Sequence, residues 1–170
     1  MRAALALILC LVLVAPSAAD PDYEAAFSPR GQSLDLVLST IRSARQSIRM
    51  AAYSFTSEPI AAALTDAARR GVDVKVVADK QANSSRYSVA ANLAEQGIPV
   101  RLNGNYAIFQ HKFILVDGRH LETGSFNYNA SVENNADNVL VLHDAPVMVE
   151  KYQAEWERLW QEGVDVRANY

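Results

Sequence analysis

Apolar positions recur along this chain in two rhythms, one helical and one extended, and the two alternate. From Leu34 to Ala44, residues Leu34, Val37, Leu38 and Ile41 fall on one helical face. Ile48 to Phe55 then reads as a strand. Ser57 is placed to N-cap a helix with Pro59 near its first position. That helix runs to Arg70 and stops at Gly71, where a glycine after the C-cap belongs. Val72 to Ala78, VDVKVVA, is a second buried strand. A helix over Ser85 to Gln96 ends at Gly97, and Ile98 to Leu102 is a short strand. A longer strand is predicted over Ala107 to Val116, returning through Asp117-Gly118 along His120 to Thr123, since Asp-Gly between apolar runs signals a hairpin. Val139 to Leu142 is a further strand, and Pro146 to Trp160 is a closing helix. Strands and helices in this order imply an α/β fold, an α+β mixed sheet flanked by helices on both faces. No segment is repeated.

The N-terminus changes the boundaries of that picture. Arg2 gives a short positive region, Ala3 to Val14 is unbroken and apolar, and Ser17-Ala18-Ala19 offers small residues at a cleavage site. Residues 1–19 are therefore expected to be a secretory signal peptide, with one domain over residues 20–170. The apolar run is short of the roughly 20 residues that a membrane span needs. Leu9 before Cys10 does not suit lipid attachment. Cys10 is the only cysteine, so the mature chain depends on no disulfide, as fits a secreted or periplasmic bacterial protein.

Composition narrows the partners. Half of the residues are hydrophobic, enough for a sizeable core. The net charge of −3 becomes −4 without Arg2, which excludes a broad basic platform for nucleic acid. Any polyanion must be met by local positive charge.

Lys112 to Asn127, KFILVDGRHLETGSFN, supplies that locality. Lys112 opens an apolar run that reaches Asp117, and Gly124-Ser125 and Asn127 follow the return strand. An ammonium, a hydroxyl and an amide beside one strand all donate hydrogen bonds to oxyanions, so they form a phosphate cage. A buried ammonium without a partner is costly, which favours a ligand for Lys112. Ser125 and Asn127 are read with it. Asp117, in a tight turn, is equally suited to bonding local backbone.

This spacing resembles the HxKx4D…GSxN motif of the phospholipase D superfamily, with Lys112, Asp117, Gly124, Ser125 and Asn127 at the motif positions. The likeness, to its small secreted single-motif nucleases, extends from about Phe27 to Trp160. It implies a phosphodiesterase that needs no metal or other cofactor and passes through a phosphohistidine. Because one motif supplies one imidazole where the reaction uses two, it also implies a homodimer with the site at a two-fold axis. Asp137 stands near the place of a carboxylate that orients the nucleophile, although a shorter side chain follows a shorter segment.

One position departs from the motif. The nucleophilic histidine belongs two residues before the lysine, where this chain has Gln110. His111 is adjacent, and alternation along a strand turns it away from the face shared by Gln110 and Lys112. A Gln amide cannot attack phosphorus. Either the nucleophile is lost, or a bulge swings His111 inward. The expected substrate is a nucleic-acid backbone, DNA or RNA; a phospholipid, or binding without chemistry, are the alternatives. No apolar, aromatic-rich loop suggests stable membrane association.

Other candidates have plainer readings. Tyr53 to Thr56 could line the site or pack the strand. Asn83, Ser84, Ser85 and Arg86 form a polar, flexible segment after a strand end, where ligands often bind. His120 and His143 are structural or surface residues, and Trp156 and Trp160 pack the last helix.

Overall fold

Side chains that alternate across a pleat decide this architecture, because each buried strand feeds two cores. In a computed structural model, residues 22–29, 32–85, 88–130 and 134–166 are described. The proposed signal peptide and Arg86 lie outside them. The elements are β1 (Tyr23–Phe27), α1 (Gln32–Ser43), β2 (Ser47–Ala52), α2 (Glu58–Arg69), β3 (Asp73–Asp79), α3 (Val89–Glu95), β4 (Val100–Asn103), β5 (Phe113–Val116), β6 (His120–Gly124), β7 (Asn138–Leu142), α4 (Pro146–Glu162) and β8 (Val164–Asp165).

The strands form one mixed sheet in the order β1-β7-β6-β5-β2-β3-β4-β8. β2, β3 and β4 are parallel, joined through α2 and α3, whereas β5, β6, β7 and β1 are successively antiparallel. One face packs Ile48, Met50, Val74, Val76, Ile114 and Val116 against Val37 and Ile41 of α1, Ile60 and Leu64 of α2, and Leu93 of α3. The other face packs Ala51, Val77, Phe113, Leu115 and Leu121 against Val149, Trp156 and Leu159 of α4. Successive residues of β5 thus enter different cores. The Trp156 indole N–H also donates to the Met50 carbonyl at 2.9 Å, and its ring stacks on Trp160.

The expected α/β class holds, and the differences lie at element ends. β1 and β8 were not anticipated; both are edge strands, whose pattern is set by one neighbour only. The motif strand begins at Phe113, so residues 107–112 are irregular chain. The third helix begins at Val89, capped by the Ser88 hydroxyl, which accepts from the Ala91 N–H at 3.3 Å. The last helix continues past Trp160 to Glu162.

One carboxyl lies inside the helix-covered core. Glu122 on β6 is fully buried, and the Tyr128 hydroxyl donates to its Oε2 at 2.5 Å. Burial raises its pKa to about 8, against the pull of that hydrogen bond. Its Oε1 has no partner among the described residues, so the neutral acid is the favoured form at neutral pH.

Candidate functional site

Sheet direction brings the C-terminal ends of β1, β2, β3, β4 and β6 to the same side as the N-terminal ends of β5 and β7. The candidate cage lies there. Gly124 ends β6 where a Cβ would stand 2.1 Å from the Asn138 carbonyl oxygen, so no side chain fits. That oxygen accepts from the N–H groups of Ser125 and Phe126 at 3.1 and 3.3 Å, which fixes the turn presenting Ser125 and Asn127.

Asp137 closes the turn from the β7 side. The Ser125 hydroxyl donates to Asp137 Oδ1 at 2.8 Å and accepts from the Asn138 N–H at 3.0 Å. The Asp137 N–H donates to the Ser28 hydroxyl at 3.1 Å, and its carbonyl accepts from the Ser28 N–H at 3.0 Å. Ser28 is therefore a supporting residue that sequence reasoning missed; nothing in its local sequence marks a contact so distant along the chain. Asp137 Oδ2 and Asn127 Oδ1 are buried and have no hydrogen-bond partner among the described residues. Unmade bonds of this kind are uncommon in folded proteins and call for a reason.

Lys112 stands one residue before β5. Its ammonium donates to the Gln110 carbonyl at 3.0 Å and to Gln110 Oε1 at 3.2 Å, and it lies 5.9 Å from the centre of the Tyr53 ring. Burial lowers its pKa below the ordinary lysine value, partly offset by the Asp137 carboxylate. Gln110, Lys112, Tyr53, Ser125, Asn127 and Asp137 thus occupy one end of the sheet.

Two sequence candidates fall elsewhere. His111 faces α4: its Nε2 is 3.0 Å from Glu155 Oε1, and its ring meets Phe109 and Phe113 edge-on at 5.6 and 5.8 Å. No bulge turns it inward, because Phe113 on the same side is locked into the core beneath α4. Asp117 is at the opposite end of the hairpin. Five residues at about 3.3 Å each set it roughly 17 Å from Lys112. Its Oδ1 accepts from the N–H groups of Gln46 and Ser47 at 2.7 and 2.9 Å, and its Oδ2 from that of Arg45 at 2.9 Å. Burial pushes its pKa up, but these bonds more than offset that and hold it below the usual carboxylate value.

One residue of the segment after β3 differs from its sequence reading as well, while Ser84 and Ser85 are exposed as expected. Asn83 is buried, not flexible: it accepts from the Phe55 N–H at 2.9 Å and donates to the carbonyls of Tyr53 and Asp79 at 2.6 and 2.8 Å. Buried Asp79 accepts from the Phe109 N–H at 3.0 Å, which anchors the chain just before Gln110. Asn83 and Asp79 thus bond the backbone beside Tyr53 and just before Gln110. Among the described residues no group of three or more His, Cys, Asp or Glu is arranged to hold a metal.

Comparison with known proteins places this arrangement. A family profile described as "Cardiolipin synthase, PLD-like domain" matches residues 37–160. The chain belongs to the phospholipase D superfamily, a family of phosphodiester hydrolases. It is 34% identical over 131 residues to a phospholipase D of Rickettsia bellii, covering 76% of this chain and 65% of that protein. It is 35% identical over 120 residues to the mitochondrial cardiolipin hydrolase of Xenopus laevis, covering 70% and 57%. The chain therefore spans less than two thirds of these relatives. Among solved structures, Nuc of Salmonella typhimurium, a phospholipase D family member, superposes with a TM-score of 0.85 at 41% identity, covering 87% of this chain and 99% of Nuc. NucT of Helicobacter pylori gives 0.77 at 25% identity, covering 86% and 100%.

Proposed function

We propose that this chain engages nucleic-acid phosphodiesters at the Lys112–Ser125–Asn127 cage, without a metal, and that the phosphohistidine route is closed at position 110. The observation that carries this reading is the placement of Gln110 against Lys112 while His111 is held on the opposite face by Glu155. Lys112 and the Asn127 amide are the donors available to a phosphate, and the Ser125 hydroxyl joins them only by turning from Asp137 Oδ1, to which it donates at 2.8 Å. Charge-assisted bonds of this type are the strong ones. The family reaction needs a nitrogen lone pair directed at phosphorus. In a carboxamide that pair is delocalised into the carbonyl, so no phospho-enzyme bond forms. Asp137 Oδ2, without a partner among the described residues, supports the same reading, since an imidazole N–H at position 110 is the donor that such a carboxylate would orient.

Nearly complete overlap with Nuc and NucT, against little over half of the cardiolipin hydrolase, favours a backbone substrate over a lipid. The cavity beside Gln110 encloses about 270 Å³, below the range of about 300–1,000 Å³ for drug-sized ligands and too small for two acyl chains. A two-fold homodimer would bring a second Lys112 to one phosphodiester. Secretion, or residence in a periplasm, accompanies this reading through residues 1–19.

The test is hydrolysis of bis-(p-nitrophenyl) phosphate in excess EDTA. Purified protein should stay at background, and Gln110→His should raise turnover at least about a hundredfold, the scale of a restored catalytic imidazole. Turnover by the unchanged chain that disappears in His111→Ala would overturn the proposal.

A further inference from the structure

Gln110 has two neighbours. Its carbonyl and amide oxygen meet Lys112 in the cage, and its other side borders a cavity of about 270 Å³ lined also by Tyr106, Ile108, His111 and Arg158. We propose that this cavity is a nucleobase subsite, taking the planar heteroaromatic group of a nucleotide whose phosphate lies in the cage. The inference rests on the nucleic-acid reading above and specifies which part of that substrate is recognised.

Charge decides what the cavity can hold. Arg158 is the cation in its wall, yet it is already neutralised: its guanidinium bonds Glu155 Oε1 and Glu162 Oε1, both at 2.6 Å. The His111 ring nitrogen is taken by Glu155 as well. With two carboxylates against one arginine, a phosphate would be repelled. A neutral group would not.

Shape and polarity then separate a ring from a hydrocarbon chain. Ile108 is 52% exposed and Tyr106 36% exposed, an apolar lip beside a polar lining. The Tyr106 hydroxyl donates to Glu162 Oε2 at 2.7 Å and accepts from Arg158, whose guanidinium carbon lies 5.7 Å from the Tyr106 ring centre. These bonds hold the phenol in one orientation, so little side-chain freedom is lost when a base stacks on it. The Gln110 amide can pair with a base edge. His111 Nδ1 makes no hydrogen bond among the described residues, and offers a second polar contact. An acyl chain would strand these polar groups without partners, at a cost a heteroaromatic ring avoids.

The experiment measures binding of two fluorescein-labelled single strands by fluorescence anisotropy. One carries bases; the other has the same sugar-phosphate backbone with every base replaced by an abasic spacer. The base-bearing strand should bind about tenfold more tightly, the scale of one stacked base. Ile108→Ser, a neutral change at an exposed position, should shrink that ratio towards one while leaving the base-free affinity and the melting temperature unchanged. Equal affinities for the two strands, or a ratio that Ile108→Ser leaves intact, would overturn the subsite and leave the cage reading standing. Failure to bind either strand would remove the nucleic-acid reading itself, and this inference with it. Vesicles of phosphatidylglycerol provide the third arm: Ile108-dependent vesicle binding with no preference for bases would assign the cavity to an acyl group instead.

Discussion

The two ends of the β5–β6 hairpin carry the same motif and treat polar groups in opposite ways. At the turn end, both oxygens of Asp117 are used by the backbone N–H groups of residues 45 to 47. At the open end, Asp137 and Asn127 each keep a buried oxygen without a partner among the described residues, and Lys112 rests on a neutral amide. A satisfied carboxylate holds the fold together. An unsatisfied set keeps hydrogen-bonding capacity for something else. The family motif spans both, so membership of the motif does not make a residue part of the cage.

The sharpest way to break this comparison is Asp117→Ala. It leaves three backbone donors without their acceptor and should cost roughly 4 kcal/mol of stability, as charged hydrogen bonds contribute about 1.5–3 kcal/mol each and do not add fully. Urea denaturation measures it; a loss below about 1 kcal/mol would show that the turn end is as expendable as the open one.

Midway between the ends, Glu122 gives a smaller effect that pH reveals. Its folded pKa, about 8, stands above its unfolded value near 4.5, so the folded state binds the extra proton between them. Stability therefore falls as pH rises through that window, by about 2 kcal/mol from pH 5 to pH 7. Thermal melts across this range should show the slope in the unchanged chain and its loss in Glu122→Gln, whose amide oxygen still accepts from Tyr128. A flat profile in the unchanged chain would mean that the carboxyl is already ionised.

The smallest stability change is expected at the open end. Lys112→Ala should shift the urea midpoint by no more than about 0.5 kcal/mol, because it removes a cation that burial already disfavours. Oligonucleotide affinity should fall at least about tenfold in the same variant. A large loss of stability with intact binding would reverse the assignment of the two ends.

Most of the architecture was readable because buried strands and amphipathic helices announce themselves by period. Leu34–Ile41 and the run VDVKVVA are examples; strand alternation also separated His111 from Lys112, although both stand in irregular chain just before β5, where His111 is held by Glu155. Asp117 illustrates the limit. Its turn chemistry was visible, but its three donors lie about 70 residues upstream, and no local pattern records them. Asn83 misled for a related reason: a polar residue after a strand resembles loop until its buried backbone partners are seen. β1 and β8 escaped because an edge strand with one neighbour needs only a short, weakly patterned segment.

Ser28 adds a consequence for assembly. Its hydroxyl meets the Asp137 N–H across a sequence separation of 109 residues, one of the contacts whose loop-closure entropy must be met before it yields any stabilisation. The β5–β6 hairpin joins neighbours a few residues apart, so its closure costs far less entropy. The carboxylate that completes the cage is seated only once the first strand has crossed to the far edge of the sheet and paired with β7. A chain shortened past Phe27 would thus retain its hairpin and lose the register of its site, so the earliest residues of the domain govern the last part of it to be built.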